Sequence, residues 1–347
     1  TIGIELLVDI VRCFASMTTY DAAADRYDID GVMGPDEFHD GYPGRPGCGV
    51  RNNAYTNILL AWTLRRTIAA LDELDRHDWG RARRRLRIAA SEPGQWERLS
   101  RRLRIPFHGD GVISQFDGYE HLAEFDWDDY LARDGDTGRL ELTLAAAGDS
   151  TNNYRLAKQP DVLMLFYLLS AEDLRDTLER LGYQLDKSAV RHTVEFYLAR
   201  TSHGSTLSRP ISSWILARAD RTRSWSLFNQ ALDSDLADIQ GGTTREGIHL
   251  GAMAATVDLV LRCYSGLETR DGVLWVHPTL PPELARSEFR IAYRDHSIRV
   301  ELTADAVGLQ LEPGAAAPIQ VWVDGQTATL HAGHAYRFDL THAAAHR

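Results

Sequence analysis

Two carboxylates stand side by side at Asp36 and Glu37, directly after Gly34-Pro35 and directly before Phe38 and His39. Proline has no amide donor and restricts the residue before it, so the acidic pair sits on a turn rather than inside a helix. Adjacent side chains on a turn cannot point the same way. One carboxylate is therefore expected to face a cleft while the other holds the loop. Burial beside an aromatic ring favours the protonated form of a carboxyl group, which is what a general acid requires. Taken alone, the same stretch also reads as a capped turn with no chemistry. Asn52 and Asn53 then precede a long apolar-periodic run, the composition of a helix N-cap.

Three further stretches carry chemistry. Lys158-Gln159-Pro160-Asp161 introduces the apolar run Val162 to Leu169 and places Lys158 and Gln159 at a helix mouth, with Pro160 and Asp161 suited to its first turn. In Arg200 to Ser208, the hydroxyls of Ser205 and Thr206, a glycine and free amides at a helix start make a natural anion site, or a plain Ser/Thr N-cap. Gly241 to His249 sets Glu246 and His249 at another helix entrance. The Gly-, Asp- and aromatic-rich residues from Phe107 to Tyr130 read as a long loop of the kind that lines sites.

Helical spacing places these stretches. Ile4, Leu7, Val8, Val11 and Phe14 define an opening amphipathic helix, and Ile58, Ala61, Leu64, Ile68 and Leu71 a second one. An arginine-rich tract follows, read as an exposed helix pair anchored by Trp79 and Trp96. From about residue 270 the period falls to two: Phe289, Ile291 and Tyr293, then Ile298, Val300 and Leu302, then Ile319, Val321 and Val323. Asp324-Gly325 marks a hairpin. The expected organisation is a mainly α domain, residues 1–268, followed by a small antiparallel β-sheet domain, residues 269–347. The helices come in similar pairs, with chemistry-bearing loops ahead of them, which suggests a barrel of paired helices with its site at one mouth.

The net charge of −11, from 38 Lys and Arg against 49 Asp and Glu, argues against a general nucleic-acid binder. No window approaches the roughly 20 apolar residues of a membrane span. Cys13, Cys48 and Cys263 are widely spaced, and Cys13 and Cys263 fall in apolar helical patterns, so they are expected as core thiols in a reducing, cytoplasmic setting, with no metal site.

In order along the chain, Gly34-Pro35-Asp36-Glu37-Phe38-His39, Asn52-Asn53-Ala54-Tyr55-Thr56-Asn57, Gln115-Phe116-Asp117-Gly118-Tyr119, Lys158-Gln159-Pro160-Asp161-Val162, His203 to Ser208 and Glu246-Gly247-Ile248-His249 resemble glycoside hydrolase family 65, the disaccharide phosphorylases and related α-glucosidases. The resemblance implies an (α/α)6 barrel, of which this chain holds the C-terminal part, followed by the β-sheet domain. It implies Glu37 as the catalytic acid, Lys158 and Gln159 as glucose contacts, and Ser205, Thr206 and His249 as phosphate ligands. The implied reaction is inverting phosphorolysis of an α-linked glucosyl disaccharide to β-glucose 1-phosphate and a free sugar. No cofactor is expected, inorganic phosphate being the co-substrate. An inverting hydrolase with Glu246 as the base and a non-catalytic carbohydrate-binding fragment stay open as alternatives. Two departures stand out: Pro160 replaces the family's usual alanine, and the N-terminal sandwich and Trp-containing sugar loop have no counterpart here. On that account the chain is expected to be a fragment, a separated half, or a part completed by a partner, with a homodimer as the alternative.

Overall fold

The computed structural model describes residues 2–134, 138–239 and 242–340, without the side chains of residues 2 and 75–83. The chain forms two compact units, Thr1–Ser208 and Arg209–Arg347, while the change from helix to strand falls later, at Leu267.

The first unit is helical. Helix α1 (Ile2–Ser16) buries Val8, Val11 and Ala15 and leaves Cys13 exposed, which corrects the expectation of a core thiol there. A short hairpin that the helical reading did not anticipate, β1 (Thr18–Asp21) with β2 (Arg26–Ile29), follows it. Helix α2 (Ala54–Arg85) opens under Asn53, whose Oδ1 accepts the Thr56 amide at 2.9 Å and the Thr56 hydroxyl at 3.0 Å. That is the N-cap the paired asparagines predict. Its inner face buries Ile58, Ala61, Leu64 and Leu71. Helix α3 (Glu92–Arg102) returns with Trp96 fully buried as its anchor; the side chain of Trp79 lies outside the described residues.

Short helices α4 (Trp127–Arg133) and α5 (Leu140–Ala146) interrupt the long loop region. Then come α6 (Asp161–Leu168), α7 (Ala171–Arg180) and α8 (Lys187–Leu198), the last capped by Asp186. The apolar run from Val162 is thus a helix that starts one residue early, because Pro160 serves as the N-cap and Asp161 takes the first helical position.

The second unit holds α9 (Ser208–Leu216) from its second residue on, α10 (Arg221–Leu232) and α11 (Leu250–Asp258), continued by a wider π turn over Leu259–Tyr264. Among these, burial of Cys263 pushes its thiol up to about 12, so it is inert. Among the described residues eight strands follow: β3 (Leu267–Arg270), β4 (Val273–Val276), β5 (Arg286–Tyr293), β6 (His296–Thr303), β7 (Ala306–Leu311), β8 (Ile319–Val323), β9 (Gln326–Leu330) and β10 (Ala335–Asp339). One sheet has the order β10-β7-β6-β5 and is antiparallel throughout. The other, β3-β4-β8-β9, pairs β4 with β8 in parallel, which corrects the expectation of a purely antiparallel domain. The period-two residues do their expected work: Ile298, Val300, Leu302, Val321 and Val323 point into one apolar core shared by both sheets. Asp324 and Gly325, both at positive φ, make the tight turn between β8 and β9.

Candidate active site

The two adjacent carboxylates part as the turn requires. Asp36 is 1% exposed, whereas the Glu37 side chain is 64% exposed. Asp36 accepts hydrogen bonds from Gln115 Nε2 at 2.8 Å and from the backbone amide of Lys158 at 2.9 Å. Its own amide donates to Asp161 Oδ1 at 2.6 Å, and Asn53 Nδ2 donates to Asp161 Oδ2 at 2.5 Å. His39 lies beneath, donating from Nε2 to the Tyr154 carbonyl, with Nδ1 3.4 Å from Asp36. The turn can approach α6 this closely only because residue 34 is glycine: a Cβ there would collide with the Asp161 carboxylate and the Asn53 amide. Burial, and then the charge of Asp36, push the Asp161 carboxyl up to about 8. Asp161 therefore keeps its proton to a higher pH than an ordinary aspartate.

Glu37 leaves this buried network and meets Lys158, Nζ to Oε2 at 2.8 Å. A second carboxylate, Glu141 of α5, lies 3.6 Å from the same ammonium. Burial pulls the Lys158 ammonium towards its neutral form, but Glu37 and Glu141 together outweigh it, and the net shift is upward. One apolar cluster explains why these groups meet. Phe38 (next to Glu37), Leu140 and Leu144 (flanking Glu141) and Leu156 (two residues before Lys158) pack together with Phe125 and Tyr130.

Gln159 joins two loops: its Nε2 donates to the Pro35 carbonyl at 2.9 Å, and its Oε1 accepts from Ser205 Oγ at 2.7 Å. Thr206 is buried beside Ser205 in the turn before α9. His203 holds that turn at a φ of 55°, a costly conformation for a side chain with a Cβ, with Nδ1 2.9 Å from Ser208 Oγ. The first unit thus brings Glu37 to Lys158 and Gln159 to Ser205.

In the second unit, His249 is the residue before α11. Its Nδ1 lies 2.6 Å from Asp235 Oδ1, and its amide donates to Asp235 Oδ2 at 3.0 Å. That contact to His249 is the main reason the Asp235 carboxyl sits below its ordinary value. The contact engages Nδ1 and holds the ring against Asp235. Glu246 is exposed at the end of a 3-10 turn.

Sequence reasoning did not single out Glu141 or Asp235. Asp235 had only its position before a Gly-rich segment to recommend it, and Glu141 had no local signal.

Residues 1–258 match the family model for the glycosyl hydrolase family 65 central catalytic domain, and residues 267–330 match its C-terminal domain. The chain belongs to glycosyl hydrolase family 65. It is 48% identical over 96% of its length to an uncharacterized glycosyl hydrolase of Mycobacterium tuberculosis, spanning 25% of that protein. It is 34% identical to the trehalose 6-phosphate phosphorylase of Lactococcus lactis, covering 97% of this chain and 42% of the relative. The kojibiose phosphorylase of Caldanaerobacter subterraneus is 29% identical, over 89% of this chain and 38% of the relative. A solved structure from the human microbiome, provisionally named a kojibiose phosphorylase, superposes with a TM-score of 0.77 at 22% identity, covering 97% of this chain and 46% of that one. This family 65 chain thus spans a quarter to about two-fifths of the length of these curated relatives.

Proposed function

We propose that this chain is the acid-bearing part of a phosphorylase that cleaves an α-linked glucosyl disaccharide with inversion, giving β-glucose 1-phosphate and a free sugar. The helical framework is read as part of an (α/α)6 barrel. The observation that carries the proposal is the separation of Asp36 from Glu37. Asp36 is consumed in holding backbone, so the solvent-facing Glu37 is the carboxyl able to protonate a glycosidic oxygen. Lys158 and Gln159 are assigned to the glucosyl unit. Ser205 and Thr206, and in the second unit His249, are assigned to phosphate. Phosphate brings its own negative charge, so this chemistry needs donors to hold an anion and no carboxylate base.

The inverting hydrolase reading has one observation in its favour, the exposed carboxylate of Glu246 three residues from His249. In an inverting hydrolase the base activates water on the face opposite the acid.

The test uses the polypeptide that carries this chain, with trehalose, maltose, kojibiose, nigerose and trehalose 6-phosphate as substrates. The last is included because the relative of that activity is 34% identical. Phosphate-dependent cleavage with release of glucose 1-phosphate is the expected result. Release of two free sugars in phosphate-free buffer, abolished by Glu246→Gln, would make the protein a hydrolase.

A further inference from the structure

Resting on Glu37 as the acid, we infer that Glu141 is a positioning residue that receives the Lys158 ammonium when Glu37 becomes protonated. A general acid must carry its proton before it can give it away. An ammonium 2.8 Å from Glu37 donates to an oxygen of that carboxyl group and so occupies the place the proton must take. Glu141 supplies the counterweight. Its Oε1 lies 3.6 Å from the same nitrogen, beyond a good hydrogen bond but within one small rotation of the lysine stem.

Its other oxygen is the second observation. Glu141 Oε2 is buried and has no hydrogen-bond partner among the described residues. A buried carboxylate oxygen without a donor is costly, and most such oxygens in proteins are paired. A carboxylate suits the first turn of α5, and the packing of Leu140 and Leu144 on Phe38 and Leu156 carries it to the Lys158 ammonium. The swing of one ammonium from Glu37 to Glu141 frees Glu37 to take a proton from solvent and brings a donor to the Glu141 carboxylate, whose Oε1 it already faces. In the chemical step the O–H bond of Glu37 breaks as that proton bonds the glycosidic oxygen. The anomeric C–O bond breaks, and a phosphate oxygen bonds the anomeric carbon. Glu37 is then a carboxylate again, and Lys158 returns to it.

Two measurements test this. The first needs no turnover: in Glu37→Gln, whose amide is as uncharged as the protonated acid, a crystal structure should show Lys158 Nζ within about 3 Å of Glu141. An ammonium left in place, or turned out to solvent, overturns the inference. The second compares a disaccharide with α-glucosyl fluoride, whose leaving group needs no proton, in the polypeptide that carries this chain. Glu141→Gln should lower disaccharide turnover about 10-fold more than fluoride turnover, because only the disaccharide needs the proton of Glu37. Glu141→Asp should recover part of the loss. Equal loss on both substrates would mean Glu141 only supports the fold. Failure of the underlying reading has a different signature: Glu37→Gln would itself lower both substrates equally, whatever Glu141 does.

Discussion

Replacing Asp161 by asparagine should make the first unit less stable in acid and more stable at alkaline pH. The buried Asp161 carboxyl is held at about 8, against roughly 3.9 in an unfolded chain. A carboxyl whose folded value is raised stabilises fully below the unfolded value, and that contribution drains away as pH rises to the folded value. Between about pH 4 and pH 8 the unfolded state binds fewer protons than the folded one, so stability falls by about 1.4 kcal/mol per pH unit, roughly 5 kcal/mol in all. Asparagine cannot ionise and escapes this loss. It keeps an oxygen for the Asp36 amide but turns its NH2 towards Asn53 Nδ2. Asn53 cannot reverse freely, because its own oxygen caps Thr56. Two facing donors cost about 1–3 kcal/mol at every pH. The variant should therefore be less stable than the parent by about 1–3 kcal/mol at pH 4 and more stable by about 2–4 kcal/mol at pH 8. Urea unfolding of both proteins at half-unit pH steps measures the difference. A difference that stays flat from pH 5 to pH 8 would show that Asp161 carries no proton in the folded protein, and the reasoning would fail.

The other expectations follow from the same geometry. Glu37→Gln should leave the fold intact, since the side chain is exposed, and lower disaccharide turnover by about 10²–10⁴. Asp36→Asn should do less to the chemical step and more to stability, about 1–3 kcal/mol by urea unfolding, because it disturbs the bonds to Gln115 and Lys158; the opposite ranking in steady-state kinetics would assign the acid to the wrong carboxylate. Ser205→Ala with Thr206→Ala should raise the KM for phosphate more than that for the disaccharide. Gly34→Ala should destabilise by at least about 1–3 kcal/mol, because the new methyl group meets the Asp161 carboxylate and the Asn53 amide.

What could be read from the sequence was what depends on neighbours along the chain. Gly34-Pro35 forces a turn, Asn53 caps α2, and the change to period two marks the strands, all through local sterics and hydrogen bonding. Cys13 shows the limit of a hydrophobic pattern without a phase. At about 100° per residue it lies some 200° round α1 from Val11, so an apolar neighbourhood in sequence is the exposed side in space. The parallel pairing of β4 with β8 was equally hidden, because alternation looks alike in both senses, and β5, β6 and β7 intervene in the other sheet. The same logic separates the legible half of the site from the rest. Glu37 stands in a motif and Lys158 at a helix mouth, but Glu141 reaches them only through the packing of Leu140 and Leu144 on Phe38 and Leu156. Asp235 reaches His249 from across a loop. In both places the unforeseen group is a carboxylate beside a named cation or imidazole. The residues assigned to the ligand lie in recognisable runs, whereas the carboxylates beside them come from whichever segment the packing brings alongside.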